Sequence, residues 1–201
     1  PVRMSFDCKP EELQALMVGD SDGFNRWNAG QQLSISVIEG QLAAWYESHK
    51  AELPSLLEDA FAGVLDRVLI DDSFDKAMAA HLLVLPTTAY LIERAAVADV
   101  DAIHGVRESL AEQLAHALEA KFAAVFAAHA EEAGAPFSAR AEAMARRAIA
   151  NLSLSYLVRT GKQQWLDACA AQFKNATNMT DQAAALRNLV NSSAEVAASL
   201  R

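Results

Sequence analysis

An all-α fold of stacked helix pairs is what this sequence predicts, and three observations predict it. Alanine fills roughly a fifth of the 201 positions, which favours closely approaching helices over sheet. From Pro10 onward the apolar residues recur every three or four positions, the period of one helix face. All five prolines (Pro1, Pro10, Pro54, Pro86 and Pro136) fall at element edges, and none interrupts an apolar stripe. Hydrophobic residues make up 52%, enough for a buried core and too many for disorder. No clean repeat is visible, and stacked pairs of uneven length fit a degenerate solenoid.

The first residues differ from the rest. Val2, Met4 and Phe6 alternate with Arg3 and Ser5, so residues 1–8 read as one short β-strand. A single strand cannot stand alone, so it needs a partner outside this chain or a seat against the helices. Helices are expected at 10–18, 23–48, 54–70, 73–84, 87–96, 100–130, 138–160, 162–175 and 179–192, with another beginning near Ala194. Turn chemistry separates them in GDSDG, IDDS, EAGAP, RTGK and NATN. The span 100–130 has the clearest period: Ile103, Val106, Leu110, Leu114, Leu118, Phe122 and Val125 each advance by three or four. As one helix it would run roughly 45 Å.

Charge narrows the function classes. Seventeen basic residues face 26 acidic ones, a net −9, and no Lys/Arg cluster supplies a phosphate-binding face. Nucleic acid and an anionic membrane surface are therefore not expected as partners. Cys8 and Cys169 give no CxxC and no framework, so free thiols in a reducing compartment are expected. Sequons occur at Asn151, Asn175, Asn178 and Asn191, three-letter patterns that arise often by chance. No signal peptide or membrane span is visible. The chain opens on proline, as an excised piece of a longer protein would.

The search for chemistry finds no catalytic, cofactor-binding or metal-binding residue to nominate. None of His49, His81, His104, His116 and His129 belongs to H-E-x-x-H. His104, Glu108, Glu112 and His116 form a ladder spaced by four, the one hint of a carboxylate-bridged metal bundle. Each step of four overshoots a turn by about 40°, so the ladder cannot converge four ligands on one ion. A solvated face is the expectation. There is no G-x-S-x-G and no glycine-rich phosphate loop. Asp71–Asp72 and Glu131–Glu132 sit at helix edges, where carboxylates serve a following helix N-terminus or are simply solvated. Arg146 and Arg147 are two charges rather than a patch. Arg107 lies near the apolar side of its helix, where a snorkelling or ion-paired structural role is expected over a ligand-facing one.

One stretch stands out, DGFNRWNAGQ, residues 22–31. Asp20 or Asp22 can cap the helix that follows, and Asp22 is spaced to pair with Arg26. Phe24 and Trp27 begin an apolar stripe continued by Ile35, Ile38, Leu42 and Trp45. Both rings are expected to be buried and to anchor the helix, contributing several kcal/mol as judged from large-to-small core substitutions that cost about 3–5 kcal/mol.

The same stretch resembles the start of the helical C-terminal domain of bacterial-type aminopeptidase N, a zinc metallopeptidase family. LPTTAYLIE (residues 85–93) is similar to that family's L-P-S-E-x-Y-L-x-E, and DVDAIHGVRE (99–108) to its D-P-D-A-I-H-x-x-R-E. RRAIANLSLSYL (146–157) and QFKNATNMTDQAAAL (172–186) also resemble their counterparts, in the same order. The resemblance implies a curved, solenoid-like (HEAT-like) array over residues 9–201 that caps a catalytic chamber and limits entry to peptides. Residues 1–8 would then be the last strand of a preceding β-sandwich. Zinc, its ligands and the catalytic glutamate would belong to an upstream domain, leaving this chain without cofactor and inactive alone. Implied partners are the catalytic and β-sandwich domains of the same polypeptide and the parent's peptide substrates. Exposed docking surface implies self-association of the isolated piece, and the implied location is cytoplasmic. Two departures stand out: the family's domain continues past the position of Arg201, and Ser153 stands where it often has cysteine. The alternative is a stand-alone helical-repeat module that binds a protein or peptide.

Overall fold

Ten helices appear in the computed structural model, which describes residues 8–132 and 134–192. They are α1 (Pro10–Gly19), α2 (Gly23–Ser48), α3 (Ser55–Ile70), α4 (Lys76–Leu82), α5 (Thr88–Arg94), α6 (Val100–Ala117), α7 (Glu119–His129), α8 (Ala141–Arg159), α9 (Gln163–Asn175) and α10 (Met179–Val190). No strand occurs among the described residues. The alternating segment of residues 1–7 and the helix start near Ala194 lie outside them.

Short polar side chains set many of the helix starts. Asp22 accepts from the Asn25 N–H, Asp75 from Ala77 and Met78, Thr87 from Tyr90, Asp99 from Ala102, and Asn178 from Asp181. Each cap satisfies a donor that the first helical turn leaves orphaned and contributes about 0.5–2 kcal/mol. The Asp75 cap explains why α4 begins later than the apolar pattern suggests. Residues 71–74 form a turn instead, in which the Asp71 carboxylate accepts from the Ser73 N–H and hydroxyl.

The expected single helix over 100–130 is two helices. Leu118 leaves helical geometry (φ −109°, ψ 17°) and separates α6 from α7. Leu118 still donates to Leu114 and accepts from Phe122, so the chain bends without losing those two bonds. The apolar stripe runs through the bend because Leu114, Leu118, Phe122 and Val125 are all buried. Periodicity records which side faces the core and is blind to a kink that keeps the phase.

Neighbouring helices pack as pairs, chiefly α1 with α2, α7 with α8 and α9 with α10. Helix α8 is the hub, touching α4, α6, α7, α9 and α10. It therefore buries residues around much of its circumference: Ile149 and Leu157 face the main core, Leu154 and Val158 a second core with Leu166, Cys169, Ala185 and Leu189. Tyr156 stacks on Phe122 (4.4 Å between centroids) and meets Phe61 edge-on at 6.3 Å, tying α8 to α7 and α3.

The opening stretch of α2 departs from expectation in two ways. Phe24 is 67% exposed and Trp27 38%, so neither ring is a core anchor. The rings touch each other at 5.9 Å, while the stripe they begin is covered only further along, at Ile35 and Ile38. Arg26 does not pair with Asp22. It is the buried residue, donating to the Met17 and Val18 carbonyls at the end of α1. Arg67 donates to the same Val18 carbonyl, and both guanidinium groups lie over the Phe74 ring, at 4.4 and 4.5 Å. Two cations at a helix C-terminus satisfy its orphan carbonyls and its partial negative charge. Burial, then the charge of Arg67, lowers the Arg26 pKa.

Candidate functional site

An open cleft of about 790 Å³ lies between α6, the end of α8, α9 and the end of α10. Its α6 wall carries His104, Glu108 and Glu112. Three of the four rungs of the histidine–glutamate ladder thus line one cleft. The fourth, His116, is exposed and outside it, as a drift of about 40° per step requires. Arg159 from α8 and Asn188 from α10 face them.

Glu108 is not a solvated rung. Its carboxylate takes Arg159 at 2.6 Å through one oxygen and Arg107 through the other. Burial pushes its pKa upward, but bonds and charge from Arg159 and Arg107 outweigh that and hold it below the usual carboxylate value. Such a group stays ionised and is a poor proton donor. Arg107 also donates to the Pro86 carbonyl at 2.7 Å, so it braces the α4–α5 link, the structural role expected of it.

The other polar candidates are structural as well. Arg147 is buried, bonded to Glu131 at 2.8 Å and to the Ser138 carbonyl, which takes Glu131 out of the solvated class expected for it. Asn151, Gln172 and Asn178 converge on the buried Asp181: Asn151 and Asn178 donate to its carboxylate, and Gln172 to its carbonyl. This network joins α8, α9 and α10, and it occupies two of the sequon asparagines. Sequence reading missed it because its members lie up to 30 positions apart. Cys169 is buried, donates weakly to the Ala185 carbonyl, and burial raises its thiol pKa to about 11, which suppresses the reactive thiolate.

Among the described residues no three His, Cys, Asp or Glu side chains converge as metal ligands would. No described helix is long and apolar enough to cross a membrane.

Comparison with known proteins gives a consistent placement. Residues 10–200 match the family described as "Domain of unknown function (DUF3458_C) ARM repeats". The chain is 32% identical over 201 residues to aminopeptidase N of Escherichia coli (strain K12), covering 100% of this chain and 22% of that protein. Against aminopeptidase N of Caulobacter vibrioides the identity is 31% over 191 residues, covering 94% and 21%. The fold matches the crystal structure of Legionella pneumophila aminopeptidase A in complex with aspartic acid, with a TM-score of 0.76 and 24% identity over 99% of this chain and 23% of that one. The chain therefore spans about a fifth of the length of the relatives it matches. The family model spans nearly the whole chain, and the described residues are the all-α array its description implies: the chain belongs to the DUF3458_C family of ARM-repeat domains.

Proposed function

We propose that this chain is the non-catalytic helical C-terminal domain of a zinc-dependent aminopeptidase N, and that it encloses the catalytic chamber and restricts entry to peptides. One observation carries the reading: the chain aligns end to end with an aminopeptidase N yet makes up 22% of it. The polar chemistry agrees, since the charged groups described above are spent on bracing helices. Zinc, the peptide substrates and the cytoplasmic location belong to the parent enzyme in this reading. The other domains of the same polypeptide are the partners.

The natural polypeptide carrying this chain tests the cap. A protease site engineered into the link before α1 allows the helical array to be released. The intact enzyme should trim short peptides and spare folded proteins with accessible N-termini. Release of the array should relax that size limit or abolish activity. Unchanged rates and unchanged size selection after release would remove the cap role.

The runner-up, a stand-alone helical-repeat binding module, draws on the open cleft beside Glu108. It predicts a parent reading frame that lacks H-E-x-x-H.

A further inference from the structure

Two cavities lie along one seam. The cleft of about 790 Å³ has Glu108, Val158 and Arg159 on its α6–α8 wall, and Leu166 and Asn188 on the wall made by α9 and α10. A smaller cavity of about 190 Å³ separates Phe126 and Ala130, at the end of α7, from Ala168 and Gln172 of α9. Both divide the α9–α10 pair from the rest of the array. Close packing is what couples one helix to the next, and a seam that holds two cavities forgoes part of it.

Apolar cover is thin there as well. Helices α9 and α10 together bury Leu166, Cys169, Ala185 and Leu189, fewer apolar side chains than α3 buries alone. These four meet Leu154 and Val158 of α8 in a core separate from the main one. Phe126 and Trp165, edge-on at 6.5 Å, are partly buried and pack against both cores. Polar ties cross beside them. Asn151 of α8 donates to Asp181 and accepts from Gln172, both at 2.7 Å. Glu119 of α7 takes Lys162 at 2.6 Å and the Trp165 indole N–H at 3.0 Å. Within the pair, Gln172 donates to the Asp181 carbonyl and Cys169 to that of Ala185. Gly161, in the left-handed region at φ 70°, makes the joint between α8 and α9.

We infer that α9 and α10 are a detachable unit, which unfolds and refolds as one while α1–α8 stay intact. Local opening follows lines of sparse apolar contact, and this seam is such a line. Released from α8, helices of 13 and 12 residues are marginal in water, so the two come and go together. Opening bares Leu154, Val158 and the Glu108–Arg159 pair, and turns the cleft into a broad face. It follows from the packing of the array and holds whatever reaction the parent performs.

Native-state hydrogen exchange on the 201-residue chain tests this, with amides of α9 and α10 set against those of α3 and α6. Corrected for local sequence, α9 and α10 should share one protection factor, about a hundredfold below that of α3 and α6. Tyr156→Phe removes a hydroxyl bond between α8 and the end of α4, which the open state keeps. It should speed exchange in α3 and α6 by about 5- to 30-fold and leave α9 and α10 unchanged. Asn151→Ala cuts a tie that opening breaks, so it should speed both sets alike. Equal protection of the two sets overturns the proposal. So does a gradient in which α10 exchanges well ahead of α9, the mark of a fraying end. Acceleration of all four helices by Tyr156→Phe, or no effect of Asn151→Ala on α9 and α10, overturns it as well.

Discussion

The Tyr156 hydroxyl donates to the Leu83 carbonyl at 2.8 Å, joining α8 to the end of α4 across 73 positions of sequence. Burial drives the Tyr156 pKa far upward, so the group remains a donor throughout the neutral range. Tyr156→Phe keeps the ring stack on Phe122 and leaves the Leu83 carbonyl unpaired. It should cost about 1–3 kcal/mol in urea unfolding, with the denaturant slope unchanged. A variant as stable as the parent would mean that water replaces the hydroxyl.

Helices α2 and α6 cross where Trp45 packs over Gly105, and a Cβ on Gly105 would run into the indole. Alanine is intrinsically the better helix former by about 1 kcal/mol. The clash should still win: Gly105→Ala should destabilise by about 1–3 kcal/mol, as overpacked cores do. A gain in melting temperature would contradict this crossing.

Ser153 is fully buried and its hydroxyl has no hydrogen-bond partner. An unpaired buried hydroxyl costs free energy that a methyl group does not. Ser153→Ala should raise stability by about 1 kcal/mol, and Ser153→Cys should be neutral or better. Loss of stability in both variants would show that the hydroxyl is paired in solution.

His129 closes α7 with its Nε2 buried and unpartnered. Burial, then the charges of Arg146 and Lys76, lowers its pKa, with Asp72 opposing them. The unfolded chain therefore takes up this proton more readily than the folded one. Stability from this site is complete above the ordinary value of 6.5 and falls as pH drops through it toward the lowered folded value. His129→Gln should flatten the stability profile below pH 6.5 relative to the parent. Carboxylates with lowered pKa, such as Glu108, lose their contribution only at more acidic pH. Parallel profiles for the two proteins would exclude His129 as the source.

Much of the fold was legible in the sequence, for identifiable reasons. Asp75 lies inside the span 73–84 that the apolar pattern joins into one helix, and its capping role is not legible there. The Asp22 cap, by contrast, is a local signal, read within three residues of the helix it starts. The α6–α7 stripe was equally plain. The bend at Leu118 was not, because it preserves phase. Arg26 looked like half of a local ion pair, yet its partners are the carbonyls closing the previous helix. The buried Asp181 network depends on three helices meeting, which spacing alone does not encode. Phe24 and Trp27 misled for a different reason. Their pattern is that of a core, yet in the structure Phe24 is exposed and Trp27 only partly covered.

The most direct measurement compares the purified 201-residue chain with the natural polypeptide for zinc content and for hydrolysis of an aminoacyl-anilide. The natural polypeptide should carry zinc and turn over substrate in a chelator-sensitive way, and the chain alone should do neither. Turnover that scales with the chain alone, or zinc bound to it in stoichiometric amount, would contradict a non-catalytic cap.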